Sequence, residues 1–167
     1  MTKRFAAALV AATTLSAPAM ADMVEISRTI TDIAAGADRH DWARVRDAFS
    51  DSVTVDYTSL WGGEPATQAA DDLVAGWQGF LPGFDMTHHM VTNHTVVSQD
   101  GDSALVQAEF TATHRVDDML WTLGGRYTYE MKPAESRWRV TSLTMTALWE
   151  TGDRGIVAIA SERAAAN

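Results

Sequence analysis

Ser103-Ala104-Leu105-Val106-Gln107-Ala108-Glu109-Phe110-Thr111-Ala112-Thr113-His114-Arg115-Val116 is the stretch that decides the fold. Ala104, Val106, Ala108, Phe110 and Ala112 fall on one side of an extended chain, and Gln107, Glu109, Thr111, Thr113 and Arg115 on the other. Alternation kept up this long predicts a strand buried on one face, as in an antiparallel sheet. His114 is in phase with the apolar set. The spacing alone leaves it either a core histidine or a site residue.

The chain on both sides repeats the pattern. Segments 85–99, 119–132 and 138–150 also read as strands, broken by Asp100-Gly101-Asp102, Asp117-Asp118 and Pro133-Ala134-Glu135-Ser136. Asp-Gly and a two-residue Asp-Asp link predict tight hairpins. Strands of this length need bulges and strong twist to stay in a small domain. Gly124-Gly125 is a natural bend. Met119, Trp121, Leu123, Tyr127 and Tyr129 form the apolar face of one strand, and Leu143, Met145, Ala147 and Trp149 that of the last. Such a stripe is core, and it can also wall a pocket for a neutral, apolar or aromatic ligand. Arg126 lies off the stripe.

Before the strands come helices. In 23–37, Ile26, Ile30, Ile33, Ala34 and Ala37 share a face, with Arg28, Thr31 and Asp32 off it. Asp41 is placed to cap a second helix, 41–49, which buries Trp42, Val45 and Phe49. Segment 52–60 alternates as a strand with Val53, Val55 and Tyr57 on one face, and Thr67 is placed to cap a helix over 68–80. A short helix is expected over 155–164. Helices followed by a long curved meander describe an α+β domain whose sheet wraps a cavity. Asp38 is out of place at the C-terminal end of its helix, where the dipole disfavours a carboxylate. That local mismatch marks it as a residue held for another purpose.

Thr87-His88-His89-Met90-Val91-Thr92-Asn93-His94 carries three of the five histidines. Histidine titrates nearest working pH, so the cluster is a candidate for proton transfer. Alternation sends His88 and His89 to opposite faces and puts His94 in phase with His88; it does not say which set is inside. A metal would need three inward ligands, such as His88, His94 and His114. No recognised ligand spacing is present, so neither a metal nor a cofactor is expected.

Residues 1–21 read as a secretory signal peptide: Lys3-Arg4, a short apolar run, then Ala19-Met20-Ala21 before Asp22. The apolar run is too short to span a bilayer. A periplasmic or secreted single domain, 22–167, is expected, with no membrane attachment once the signal is gone. Removing 1–21 leaves 11 basic against 22 acidic residues, a formal charge of −11, with Lys132 the sole lysine. Such a surface repels nucleic acid and strongly anionic partners. Absence of cysteine excludes disulfides and thiolate chemistry.

The order Ala37-Asp38-Arg39-His40-Asp41-Trp42, Val55-Asp56-Tyr57, Thr87-His88-His89, Ala112-Thr113-His114 resembles the SnoaL-like branch of the nuclear-transport-factor-2-like superfamily, and within it the scytalone dehydratases. The resemblance runs over residues 23–149. It implies a cone-shaped α+β barrel with a deep apolar pocket. It also implies catalytic roles for Asp38, Tyr57, His89 and His114, with His89 inward and His88 outward. Two positions depart from the dehydratase pattern: Ala37 stands where it has a second tyrosine, and Tyr127 falls near its pocket asparagine. Phe110, Trp121, Tyr127 and Trp149 are the expected pocket wall. Asp38 is expected to orient His114, with His89 as the base. The expected function is a cofactor-independent dehydratase or isomerase acting on a neutral cyclic hydroxy-carbonyl compound. The alternative is a non-catalytic periplasmic binding protein, assembled as a homo-oligomer, holding a small apolar molecule.

Overall fold

The computed structural model describes residues 17–166. The expected signal segment lies largely outside them; residues 17–21 open the first helix. Along the chain come α1 (Ala17–Arg39), α2 (Trp42–Asp47), β1 (Phe49–Asp56), α3 (Thr58–Trp61), β2 (Ala66–Ala69) and α4 (Ala70–Gln78). A 3₁₀ turn (Leu81–Gly83), β3 (Met86–Gln99), β4 (Ala104–Val116), β5 (Met119–Ala134), β6 (Arg137–Gly152) and α5 (Ile156–Ala165) follow. The architecture is α+β, as the alternation predicts.

One six-stranded mixed sheet runs β2-β1-β6-β5-β4-β3. β3 to β6 form an antiparallel meander, and β1 lies parallel to β6. The apolar set of β4 is buried throughout, as its alternation requires. Ile26, Ile30, Ile33 and Ala37 of α1 are buried on the core side. Each isoleucine so buried contributes about 1.5–3 kcal/mol. Asp41 caps α2 by accepting from the Arg44 backbone N–H at 3.2 Å.

Four local expectations are corrected. Phe49 begins β1 rather than ending α2, and β1 stops at Asp56, so Tyr57 leads into α3. Thr67 is a strand residue, not a cap; its hydroxyl meets that of Thr54 across β1 and β2 at 2.8 Å. Asp32 is buried, not outward: it accepts from Arg44 and Arg137 and pins α1 to α2 and β6. Trp149 does not face inward. The β5–β6 pairing steps from Gly125↔Ala147 to Gly124↔Trp149, which leaves Leu148 as an extra residue. That bulge reverses the phase of β6 and turns Trp149 to the outer face, beside Gly124, where it is half-exposed.

Candidate active site

The concave face of the sheet, α1, α3, α4 and α5 enclose a cavity of about 430 Å³. Its wall is almost wholly apolar, with two histidines and three tyrosines as its polar members.

β3 carries Thr87, His89 and Val91 on the inner face and His88 on the outer. Asp38, near the end of α1, meets this inner row. Its carboxylate accepts from the Thr87 hydroxyl at 2.9 Å, the His89 backbone N–H at 2.8 Å and His89 Nδ1 at 2.6 Å. Burial by itself disfavours the charged carboxylate, but the bonds to His89 and Thr87 outweigh it, and Asp38 titrates below its ordinary value. An ionised carboxylate only accepts, so Nδ1 carries the ring proton. In the neutral imidazole the lone pair is then on Nε2, and the ring lines the cavity.

Asp38 therefore orients His89, not His114 as expected from the sequence. The two histidines are diagonal neighbours, Thr87 pairing with His114 and His89 with Ala112. Their rings meet edge to face at 5.4 Å. His114 sits among the rings of Phe84 and Trp121, each at 4.9 Å. Burial, aided by the nearby His89, pushes its pKa down to about 4. It is a neutral imidazole at working pH, and its Nδ1 is buried without a partner among the described residues.

Tyr57, Trp121 and Tyr127 line the cavity. Burial raises the Tyr57 and Tyr127 pKa values, so both keep their phenolic protons. Phe110 is buried but does not line the cavity: its ring stacks on Tyr127 at 4.3 Å and supports it. Trp149 is outside the site for the reason given above. His94 turns out to be inward. Asn93, at φ 56°, sits in a β3 bulge between Thr92 and Thr95 that reverses the phase, and His94 Nδ1 then meets Ser27 of α1 at 2.6 Å. That contact docks α1 on β3 away from the cavity. Among the described residues no group of three His, Cys, Asp or Glu side chains could hold a metal ion.

Tyr129, on the apolar stripe of β5, is also a wall residue; the sequence did not mark Trp61, Trp77 and Val157 from the covering helices, or Phe80 from the turn after α4. Nor did it mark Thr87, which stands two residues before His89 and shares its face. That spacing was signal enough to find it.

The profile of the SnoaL-like domain matches residues 18–144. The chain belongs to the SnoaL-like domain family. Among solved structures, Kfla4162 of Kribbella flavida is 27% identical with a TM-score of 0.75, over 84% of this chain and 98% of that one. A candidate scytalone dehydratase from Novosphingobium aromaticivorans is 19% identical with a TM-score of 0.69, over 81% and 89%. The hexachlorocyclohexane dehydrochlorinase LinA-type3 of Novosphingobium barchaimii LL02 is 17% identical with a TM-score of 0.66, over 81% and 92%. These last two likenesses are of fold. No curated protein sequence matches significantly. The SnoaL-like chain described here therefore has the nuclear-transport-factor-2-like fold, whose solved members include proteins named as dehydratases and dehydrochlorinases.

Proposed function

We propose that this SnoaL-like protein is a cofactor-independent acid–base enzyme, a dehydratase or isomerase of an uncharged cyclic hydroxy-carbonyl compound. The observation that carries the reading is the 2.6 Å bond between Asp38 and His89 Nδ1 on the wall of an apolar cavity. A base held in one tautomer, with its lone pair turned to an apolar pocket, is suited to removing a proton from carbon. His89 Nε2 takes the proton and the imidazolium so formed is stabilised by Asp38. In a dehydration the same proton returns to the departing hydroxyl as water; in an isomerisation it returns to another carbon. Tyr57, kept protonated by burial, donates to the carbonyl oxygen as charge moves onto it. His114, neutral, walls the site beside His89 without adding a competing positive charge.

The N-terminal pattern supports export, and the enzyme would act on a compound of the periplasm or exterior. The experiment is incubation of the purified protein with a library of cyclic hydroxy ketones, read by mass spectrometry. Loss of water, or an isomer of unchanged mass, is expected for wild type and not for His89→Gln. A compound that is tightly retained and recovered unchanged, with no library member converted, would instead make the protein a binder.

A further inference from the structure

All three tyrosines of the chain stand on the cavity wall. The proposed reaction uses one of them. Tyr127 and Tyr129 are two residues apart on β5 and so share a face, their rings 5.7 Å apart. β6 sets Met145 opposite Tyr127 and Leu143 opposite Tyr129. β1 runs parallel beside β6, with Val55 opposite Leu143 and Asp56 opposite Thr144. Tyr57 follows where β1 ends, and Ser59, two residues on, donates to the Met145 carbonyl at 2.7 Å, which brings this turn beside Met145 and so beside Tyr127. Tyr129 lies in the next cross-strand row.

His89 belongs to a different row, opposite Ala112 and so in line with Leu123. Leu123 is four residues from Tyr127, roughly 13 Å along the strand, and β3 is two strands from β5, about 10 Å across. The side chains converge over the concave face, but the backbone places the phenols and the imidazole at two poles of the cavity, with apolar wall between.

The shifts of the three phenols arise from burial and from one another, with no hydrogen bond to any described residue. The three hydroxyls are not among the fully buried unpartnered atoms; they open on the cavity, so their bonding capacity is directed at whatever fills it. Burial keeps each a neutral O–H, able both to donate and to accept. Phe110, stacked on Tyr127, fixes the direction of that ring. Among the described residues no lysine or arginine lines the cavity, and the chain carries a formal charge of −9, so an anionic ligand group finds no counter-charge among them.

We infer that Tyr127 and Tyr129, with Tyr57, form an oxygen-binding pole, and that the ligand is an uncharged ring compound whose carbonyl or hydroxyl oxygen lies across a ring from the carbon that His89 deprotonates. The part naming that carbon rests on the proposed function; the pole itself does not. Conjugation through the ring would carry the charge from the carbon at one pole to the oxygen at the other.

The test is equilibrium binding, without turnover, of three probes that share one body: indane, 5-indanol and indane-5-carboxylate. On wild type, 5-indanol should bind on the order of tenfold tighter than indane, the worth of one good hydrogen bond, and the carboxylate weaker than 5-indanol. In Tyr127→Phe and Tyr129→Phe the ratio of 5-indanol to indane affinity should fall towards one. Equal affinities for the three probes on wild type, preference for the carboxylate, or a ratio unchanged in both phenylalanine variants would each overturn the inference. The wild-type comparison needs no variant to fold. If no compound is ever converted while these ratios hold, the acid–base reading fails and the oxygen pole stands.

Discussion

Asp38 ends a helix where its charge opposes the dipole, and it is kept there by three donors from one strand. Removing its charge leaves His89 free to take the other tautomer, with the proton facing the substrate. Asp38→Asn and His89→Gln should each lower turnover of any converted compound by about 10²–10⁴-fold; circular dichroism would confirm that both remain folded. His114 makes a separate prediction. Its folded pKa of about 4 lies below the ordinary 6.5, so between those values the unfolded chain holds the extra proton. Stability therefore rises with pH through that window and is lost as pH falls from 6.5 towards 4, by on the order of 3 kcal/mol. His94, lowered by burial, adds a loss of the same sign. Melting curves from pH 4 to 7 should be steeper in pH for wild type than for His114→Phe; equal slopes would contradict the buried, neutral histidine. The sequence marked Asp38 as anomalous but did not reveal its partner. A helix end and two histidines on adjacent strands leave both pairings open until the helix is docked.

At the scale of elements, the alternation in 103–116 is kept by β4 residue for residue because that strand has no bulge. β3 and β6 each carry two extra residues, and those near Asn93 and at Leu148 shift the phase under His94 and Trp149. Strict alternation therefore puts His94 with His88 and Trp149 in the pocket, and the bulges reverse both. A bulge inserts a residue without any fixed signature in an otherwise β-like stretch. The covering helices were partly legible, but which of their apolar residues meet the cavity depends on how they pack. The bend at Gly124-Gly125 gives a sharp contrast. A Cβ on Gly125 would lie 2.0 Å from the Thr146 carbonyl oxygen, part of the partner strand. One on Gly124 would meet the Trp149 indole at 2.4 Å, a half-exposed side chain able to swing away. Urea unfolding should show Gly125→Ala destabilised by about 2–3 kcal/mol and Gly124→Ala by clearly less. The reverse order would mean that β5 and β6 are not so closely paired at the bend.

The whole molecule is a curved sheet closed by helices, with its polar groups gathered at two places on an otherwise apolar inner surface. If residues 1–21 are a signal, the exported protein begins at Asp22, whose carboxylate already accepts from Trp138 and Gln99. Mass measurement of protein recovered from outside the cytoplasm should give that N-terminus; an intact chain there would refute the cleavage. The central claim is that an Asp38-held His89 takes a proton from carbon inside this cavity. The most direct measurement is uptake of solvent deuterium by uncharged cyclic ketones in heavy water, followed by mass spectrometry. The account predicts exchange at the acidic carbon of at least one ketone with wild type and its near-complete loss in both His89→Gln and Asp38→Asn. Exchange that persists unchanged in those variants would contradict it.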